Sequence, residues 1–314
     1  MVIISTTFSK LKKYKYTNSI ISIGSFDGVH LAHKKIFDKM NLLKKQKNGK
    51  SIVITFNPSP KFVLQSKNIE KKYLLTEIEG KKILIKKADI DVLVILSFTK
   101  KTALITAENF LNKIIKSFNP IHFVMGYNHN FGNKRKGNVD FMRLKSKDRF
   151  EVHLIKEELA ANKESISSTK IREYLSKDKV EKANQLLGRH YSLKGIVVKG
   201  KGIGRKIQFP TMNIMPLDSY QLIPSRGVYF VKLKINNQLY SGMCNIGFKP
   251  TLTNNKEESI EVHIFSVGIN KDFYKKEVEV FFIKYLRNER KFKNLDFLRR
   301  QLEKDKQKCL SIKI

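Results

Sequence analysis

The chain of 314 residues has no tryptophan, only two cysteines and no long run of apolar residues. Cys244 and Cys309 form no CxxC pair, which argues against a disulfide scaffold or a thiolate zinc site. The apolar run at the N-terminus is too short for a signal peptide, and no run approaches the roughly 18 residues that a membrane-spanning helix needs. We therefore expect a soluble, cytoplasmic protein that does not bind a membrane.

Acidic residues are also scarce, since 28 Asp and Glu against 62 Lys and Arg give a formal net charge of +34. A charge of this sign suits nucleic acids, anionic membranes or phosphorylated small molecules as partners. The lysines, however, are scattered singly and in pairs, without an arginine-rich block or a long basic tail. The pattern favours a lysine-rich surface that suits phosphorylated substrates. A basic nucleic-acid-binding protein is kept as a remote alternative.

Strand-like apolar runs alternate with helical patterns in the first half of the chain. The runs are Ser19–Ile23, Ser51–Phe56, Val92–Phe98, Pro120–Met125 and Phe150–Ile155. The helical patterns are Leu31–Lys47, a segment from a capping box at Thr76–Glu79 to about Lys87, and the apolar stripe from Ala107 to Phe118. This alternation predicts an α/β domain, Rossmann-like, with helices on both faces of a parallel sheet.

After about residue 188, most segments are short runs in which apolar and polar residues alternate. They are Tyr191–Val198, Gly227–Ile235, Gln238–Ile246, Ser259–Phe265 and Glu277–Ile283, with a tight turn at Asn236-Asn237 and a helix over Asn294–Lys308. The pattern predicts an antiparallel β-barrel closed by one helix. Two short helical stretches, Thr169–Leu175 and Val180–Leu187, precede it. We expect two domains, residues 1–186 and 187–314.

The stretch Gly24–His33 (GSFDGVHLAH) places two histidines after an apolar run and a glycine-rich turn. His30 and His33 could be metal ligands, phosphate-binding groups or ordinary surface residues. No further ligand lies at a metal-binding spacing such as HExxH, which disfavours a metal site. The histidines open a helix at the edge of the predicted sheet, where backbone N–H groups and the helix dipole attract anions. This setting favours binding of a triphosphate.

A second polar segment, Ile166–Arg172 (ISSTKIR), starts another predicted helix. Ser168 and Thr169 could be plain helix caps beside a solvated Arg172. Because Arg172 follows Thr169 by three residues, the two side chains can also share one helix face and bind one phosphate.

Together the two segments resemble the nucleotidylyltransferase superfamily, whose signature is His-x-Gly-His followed by a Ser/Thr-rich helix start. The Phe-Asp-Gly-Val-His turn is similar, more narrowly, to the bacterial bifunctional riboflavin kinase/FAD synthetases. Segments Thr55–Pro60 (TFNPSP) and Gly126–Gly132 (GYNHNFG) match the same family. Two positions depart from its pattern, because Ala32 replaces a glycine and Ser59 replaces a histidine.

A glycine-rich loop, Gly200–Arg205 (GKGIGR), opens the second half. The match to G-x-x-x-x-G-K that ends at Lys201 lacks the following Ser or Thr, so a Walker loop is excluded and a bare turn remains the alternative to a phosphate-binding loop. Thr211 and Asn213 are two residues apart on an extended segment, so they point the same way and can hold one metal-bound phosphate.

This loop and Gln208–Asn213 (QFPTMN) resemble the riboflavin kinase module, with Gln208 and Met212 in place of its Gly and Ala. Glu261, taken alone, would be a solvent-facing residue of an alternating strand. Its Glu-x-His segment resembles the one that carries the general base of the family, and the resemblance of Tyr285–Phe292 (YLRNERKF) implies that Arg287 lies near the flavin.

The resemblance extends from about residue 19 to 308 and implies a nucleotidylyltransferase domain followed by a riboflavin kinase barrel. It implies that ATP phosphorylates riboflavin to FMN, and that a second ATP adenylylates FMN to FAD with release of pyrophosphate. The implied partners are riboflavin, FMN and ATP, with Mg²⁺ as cofactor and no nucleic acid. The alternative is a riboflavin kinase whose adenylyltransferase half is weakened or inactive, because of Ala32 and Ser59.

The resemblance also implies site residues. In the adenylyltransferase half, His30 and His33 are catalytic, and the ATP-binding residues are Phe26, Asp27, Gly28, His30, His33, Ser168, Thr169 and Arg172. A loop that contacts flavin or nucleotide contains Pro58, Asn128 and Phe131. In the kinase half, Glu261 is the catalytic base, Arg287 contacts flavin, Thr211 and Asn213 hold Mg²⁺, and the ATP-binding residues are Gly200, Gly202, Gly204, Thr211 and Asn213.

Overall fold

The computed structural model describes residues 1–64, 73–147, 149–160, 164–200, 202–248, 258–265 and 273–312. The chain forms two compact units, Met1–Ser168 and Thr169–Ile314. No helix in these ranges is long and apolar enough to cross a membrane.

The first unit contains a six-stranded sheet whose strand order is β1-β4-β3-β2-β5-β6. All of its strand pairs are parallel. The strands are β1 (Val2–Thr6), β2 (Ser19–Ile23), β3 (Lys50–Asn57), β4 (Val92–Ser97), β5 (Pro120–Gly126) and β6 (Glu151–Ile155). The predicted parallel sheet is confirmed.

Helices cover both faces of this sheet. They are α1 (Leu31–Lys47), α2 (Pro60–Leu64), α3 (Ile78–Lys87), α4 (Lys100–Ala103), α5 (Ala107–Phe118) and α6 (Val139–Ser146). Neighbouring residues of β2 enter different hydrophobic clusters: Ile20 packs with Phe37 and Met40 of α1, whereas Ile21 packs in the cluster that contains Phe118 of α5. Burial on both faces explains why these strands read as continuous apolar runs.

The order of the strands reverses at β2. The chain builds outward from β2 through β3 to β4 and then returns to add β5 and β6 on the other side. In an open parallel sheet, the crevice beyond the carboxyl ends of the strands at such a reversal is where ligands bind. The loops after β2, β3 and β5 meet at this edge.

The second unit contains a closed six-stranded barrel, in the order β10-β11-β8-β7-β12-β9, with antiparallel pairs throughout. The strands are β7 (Tyr191–Val198), β8 (Met212–Pro216), β9 (Gly227–Ile235), β10 (Gln238–Phe248), β11 (Glu258–Ile264) and β12 (Glu277–Arg287). Its helices are α7 (Ser168–Leu175), which begins at the last residue of the first unit, α8 (Val180–Leu187), α9 (Ile203–Lys206) and α10 (Leu295–Ser311).

The structure tests two local details of the sequence-based prediction. The capping box at Thr76–Glu79 is wrong, because α3 is capped by Glu77, whose carboxylate accepts a hydrogen bond of 2.7 Å from Gly80 N. The tight turn is confirmed: Asn236 and Asn237 both have positive φ, 48° and 65°, as the type I′ turn of a hairpin requires.

Candidate active sites of the two units

The turn after β2 has a left-handed backbone at three positions. The φ angle is 45° at Phe26, 83° at Gly28 and 40° at Val29. Val29 is β-branched, for which this conformation costs on the order of 1–3 kcal/mol and persists only when the surroundings impose it. Phe26 and Val29 are both buried. Strain that packing holds in place is a frequent property of functional turns.

The two histidines lie at the N-terminus of α1. His30 is the N-cap residue, buried to 5% exposure, and its ring stacks on that of His33 with centroids 3.6 Å apart and an interplanar angle of 18°. The first turn of α1 contains no acidic residue. The helix dipole, the backbone N–H groups of the first turn and two imidazoles therefore lie close together, which suits an anion.

Asp27, whose contact with ATP stays a prediction, makes several hydrogen bonds within the first unit. Its carboxylate accepts hydrogen bonds from Leu75 N at 3.0 Å and Thr76 N at 3.2 Å, and the residue is 5% exposed. Its backbone carbonyl accepts a hydrogen bond of 2.8 Å from Ser168 Oγ. Asp27 thus connects the turn that precedes His30 to the residues just before α3. The hydrogen bond from Ser168 connects the same turn to the start of α7.

Lys81 is a supporting residue that the sequence analysis missed. It is 6% exposed, and its Nζ donates a hydrogen bond of 2.7 Å to the carbonyl of Ser25. Burial lowers the pKa of Lys81, while Asp27 and Glu77 act against that shift. The sequence does contain one indication of this role. Lys81 lies on the same face of α3 as Ile78 and Ile85, which is the apolar face of the helix.

The predicted phosphate-binding residues Ser168, Thr169 and Arg172 all belong to α7. Ser168 is half-buried and is held by Asp27, Thr169 is exposed, and Arg172 is half-buried. Residues three and four apart share a helix face, so Arg172 lies on the side of both hydroxyls. Thr169 and Arg172 fall in the second unit.

The loops after β3 and β5 contain the other residues predicted for this half. Pro58 and Asn128 are exposed at the carboxyl edge of the sheet. Phe131 is 6% exposed and packs between Phe110, at a centroid distance of 5.5 Å, and Phe141, at 6.1 Å. The Phe131 ring is therefore part of the core, and its contact with a ligand stays a prediction.

Three strands of the barrel bring polar side chains into one row. Glu261 of β11 is the register partner of Asn213 on β8 and of Asn245 on β10. Thr211, just before β8, donates a hydrogen bond of 3.3 Å from Oγ1 to Glu261 Oε2. The predicted base and the two predicted metal ligands are thus neighbours.

The glycine loop lies close to this row. A Cβ on Gly200 would be 2.0 Å from Asn213 Nδ2, and one on Gly204 would be 2.1 Å from the carbonyl of Phe209. A side chain at Gly200 would displace the Asn213 amide, and a side chain at Gly204 would require the backbone to move. Gly202 has a φ of 71° and caps α9. Lys201, part of the same predicted loop, lies outside the described residues.

Asn245 and Glu289 extend this row of polar side chains. The sequence analysis assigned no role to either residue. Asn245 Nδ2 donates a hydrogen bond of 3.4 Å to Glu289 Oε1, and a Cβ on Gly247 would be 2.1 Å from the same oxygen. The row therefore contains two carboxylates, Glu261 and Glu289. Asn245 links them, because it is the register partner of Glu261 and donates to Glu289, which follows β12.

Arg287 is held by a carboxylate of α10. Its Nε and Nη2 donate to Asp305 at 2.9 and 2.7 Å, and Asp305 is fully buried. Gln301 Nε2 donates a further hydrogen bond of 2.8 Å to Asp305 Oδ1. The pair fastens α10 to the end of β12, and contact of Arg287 with flavin stays a prediction.

Family models match both halves of the chain: "FAD synthetase" matches residues 12–170 and "Riboflavin kinase" matches residues 187–313. The chain belongs to the bifunctional riboflavin kinase/FMN adenylyltransferase family. The relative from Listeria monocytogenes is 35% identical over 92% of this chain and 91% of its own length. The relative from Buchnera aphidicola is 38% identical over 94% of each chain, and that from Bacillus subtilis is 36% identical over 96% and 94%.

Solved structures also resemble this chain, and one of them matches it along its whole length. It is a crystal structure described as a macrolide-efflux protein from Streptococcus pneumoniae, with a TM-score of 0.89, 29% sequence identity and complete coverage of both chains. The similarity confirms the fold of each half of this family member, and the resemblance inferred from the sequence motifs is confirmed by the curated relatives.

Proposed function

We propose that this chain makes FMN from riboflavin in its second unit and FAD from FMN in its first, using one ATP for each step. The observation that carries the proposal is the presence of both polar constellations in a chain matched by both family models. The relatives that match along more than nine-tenths of their length are named for the same pair of activities.

In the kinase half, Glu261 accepts the proton of the riboflavin 5′-hydroxyl, whose oxygen attacks the γ-phosphorus of ATP with departure of ADP. Thr211 is hydrogen-bonded to Glu261, and Asn213 is the register partner of Glu261, so the side-chain oxygens of Thr211 and Asn213 would supply hard donors of the kind that Mg²⁺ prefers beside the base. Bound there, Mg²⁺ would neutralise charge on the transferred phosphoryl group. Gly200 and Gly204 let the loop backbone lie close to Asn213 and Phe209, and backbone N–H groups of such a loop can bind the phosphates of ATP.

In the adenylyltransferase half, a phosphate oxygen of FMN attacks the α-phosphorus of ATP, and pyrophosphate leaves. No covalent intermediate with the enzyme is needed, since the nucleophile belongs to the substrate. His30 and His33 stabilise the charge that develops on the α-phosphate at the N-terminus of α1. Ser168, Thr169 and Arg172 contribute a further set of donors to the phosphates in this proposal.

The decisive experiment incubates the purified protein with riboflavin, ATP and Mg²⁺ and separates the flavins by chromatography. We expect FMN to appear first and FAD to follow. Glu261→Gln should stop FMN formation but leave FAD formation from supplied FMN, and His30→Ala should do the reverse. If either substitution removed both activities from a folded protein, the division of the two reactions between the units would be wrong.

The alternative, a kinase with a weakened second activity, rests on Ala32 and Ser59. It predicts that FMN accumulates without FAD even in excess ATP, so the same chromatogram separates the two proposals.

We also propose the functional division at residues 186 and 187. The family model of the first half ends at residue 170 and that of the second half begins at residue 187, which supports a division before residue 187. We propose a cytoplasmic location, because both reactions consume ATP and both cysteines are free thiols.

A further inference from the structure

A cluster of two histidines and one glutamate lies on the edge of the sheet in the first unit, apart from the residues discussed so far. His122 belongs to β5, and Glu151 and His153 belong to β6, the edge strand. Among the residues that the structure describes, these three form the group of His, Cys, Asp or Glu side chains whose ligand atoms converge within 4.8 Å.

The strand register explains the convergence. Glu151 is the register partner of His122, and His153 follows Glu151 by two residues, so its side chain leaves the same face of the sheet. Both side chains of β6 therefore point toward His122 on the neighbouring strand. None of the family motifs includes these three residues.

The distances among the ligand atoms fit a small divalent cation. His122 Nδ1 and His153 Nε2 are 3.1 Å apart, and each is 3.5 Å from Glu151 Oε2. Three ligands at about 2.0–2.2 Å from one tetrahedral zinc ion are separated from each other by roughly 3.4 Å. The observed triangle needs shifts of only tenths of an ångström to bind such an ion.

The environment leaves one side of the triangle open. The side chain of His122 is 3% exposed, that of His153 is 22% exposed and that of Glu151 is 69% exposed. An ion can enter past Glu151, and water can complete its coordination. Lys39 and Lys47 lie near enough for their charges to act on the imidazoles, so they oppose a cation and lower the affinity.

We propose that His122, Glu151 and His153 form a binding site for Zn²⁺ or a divalent transition ion of similar preference. Two imidazoles and one carboxylate are the donor set that zinc takes in proteins, with water in the fourth position. The bound ion would join edge strand β6 to β5.

The position of the site indicates a structural role. Glu151 is the first residue of β6 and His122 the third of β5, so the cluster lies toward the amino ends of these strands. The turn with His30 lies beyond the carboxyl end of β2. The remaining length of β5, at about 3.3 Å per residue, places the two edges roughly 13 Å apart. FAD formation should therefore not depend on the ion.

The test measures Zn²⁺ binding to the full, metal-stripped chain by competition with a chromophoric chelator. Co²⁺ serves as a spectroscopic probe of four-coordinate geometry. We expect one tight equivalent in the wild type and at least a roughly tenfold weaker affinity in Glu151→Gln and His153→Ala. Zinc should raise the unfolding temperature of the wild type but not of these two variants.

The controls separate this site from other imidazoles. His190→Ala, which removes an exposed histidine elsewhere, should bind zinc as the wild type does. The variant without His30 and His33 should also keep the tight equivalent, and Lys39→Gln should bind zinc more tightly because a repelling charge is gone. Equal zinc binding by wild type, Glu151→Gln and His153→Ala would overturn the proposal, as would loss of the tight equivalent with His30 and His33.

Discussion

Ala32 lies in the first turn of α1, between the two stacked histidines. Alanine favours the helix, whereas the glycine that the family pattern has here would leave more room for a phosphate near the backbone. The methyl group of Ala32 thus stabilises the helix and leaves less room for a phosphate to reach the backbone of its first turn.

Replacing Ala32 by glycine should raise the specificity constant for ATP in FAD formation and lower the free energy of unfolding by about 1 kcal/mol. The readouts are FAD formation from supplied FMN and urea denaturation. Lys45→Gly is the matched control, because it lowers the helix propensity of α1 by a similar amount. Lys45 is exposed and lies near the C-terminus of α1. An equal change of activity in both variants would point to helix stability instead of space at Ala32.

Lys81 gives the second prediction for a single residue. Lys81→Met removes the donor to the Ser25 carbonyl and leaves Asp27 and Glu77 without their buried cation. FAD formation should fall at least about tenfold because the histidine turn shifts, while FMN formation stays unchanged. Lys86→Met, on the exposed side of the same helix, is the control and should leave both rates unchanged. A loss of FMN formation in Lys81→Met would argue against this local role.

Residues that act through sequence-local motifs could be predicted, and those that act through distant partners could not. His30, His33, Thr211 and Glu261 follow from short segments. Lys81 contacts a carbonyl 56 residues away, which no local spacing encodes. The hydrogen bonds that the Asp27 carboxylate accepts from the backbone of residues 75 and 76 could not be predicted either, because these residues are 48 and 49 positions away.

At the scale of helices and strands, the attachment of α10 to β12 through Arg287 and Asp305 is open to test. Asp305 is fully buried, so its removal leaves the Arg287 guanidinium, which is mostly buried, without a carboxylate partner. Asp305→Ala should lower the stability of the second unit by about 3 kcal/mol. The midpoint of urea inactivation of FMN formation reports that loss. Asp296→Ala, exposed in the first turn of α10, should shift the midpoint far less.

Hydrophobic periodicity predicted most elements, because buried stripes decide where helices and strands form. The bounds of α1 (Leu31–Lys47), α8 (Val180–Leu187) and β2 (Ser19–Ile23) agree with the prediction. Strand β1 was not predicted, since Val2 and Ile3 are 55% and 45% exposed and the segment has little alternation. It forms because β4 offers it a parallel partner.

At the scale of the whole molecule, the charge of +34 bears on substrate capture. ATP is anionic and riboflavin is neutral, so a positive field should concentrate only the first. Raising the ionic strength from about 0.1 M to 1 M shortens the Debye length from about 10 Å to 3 Å. We expect the KM for ATP in the kinase reaction to rise several-fold while the KM for riboflavin changes little. Equal increases for both substrates would contradict electrostatic capture.

Both native thiols are buried, and burial raises the pKa of each, that of Cys309 to about 12. They are therefore protonated at neutral pH and shielded from alkylating reagents. A cysteine placed at exposed Leu144 in the first unit, and another at exposed Leu239 in the second, would be the reactive thiols of an otherwise native chain. The protein thus accepts one dye in each unit without prior removal of its own cysteines.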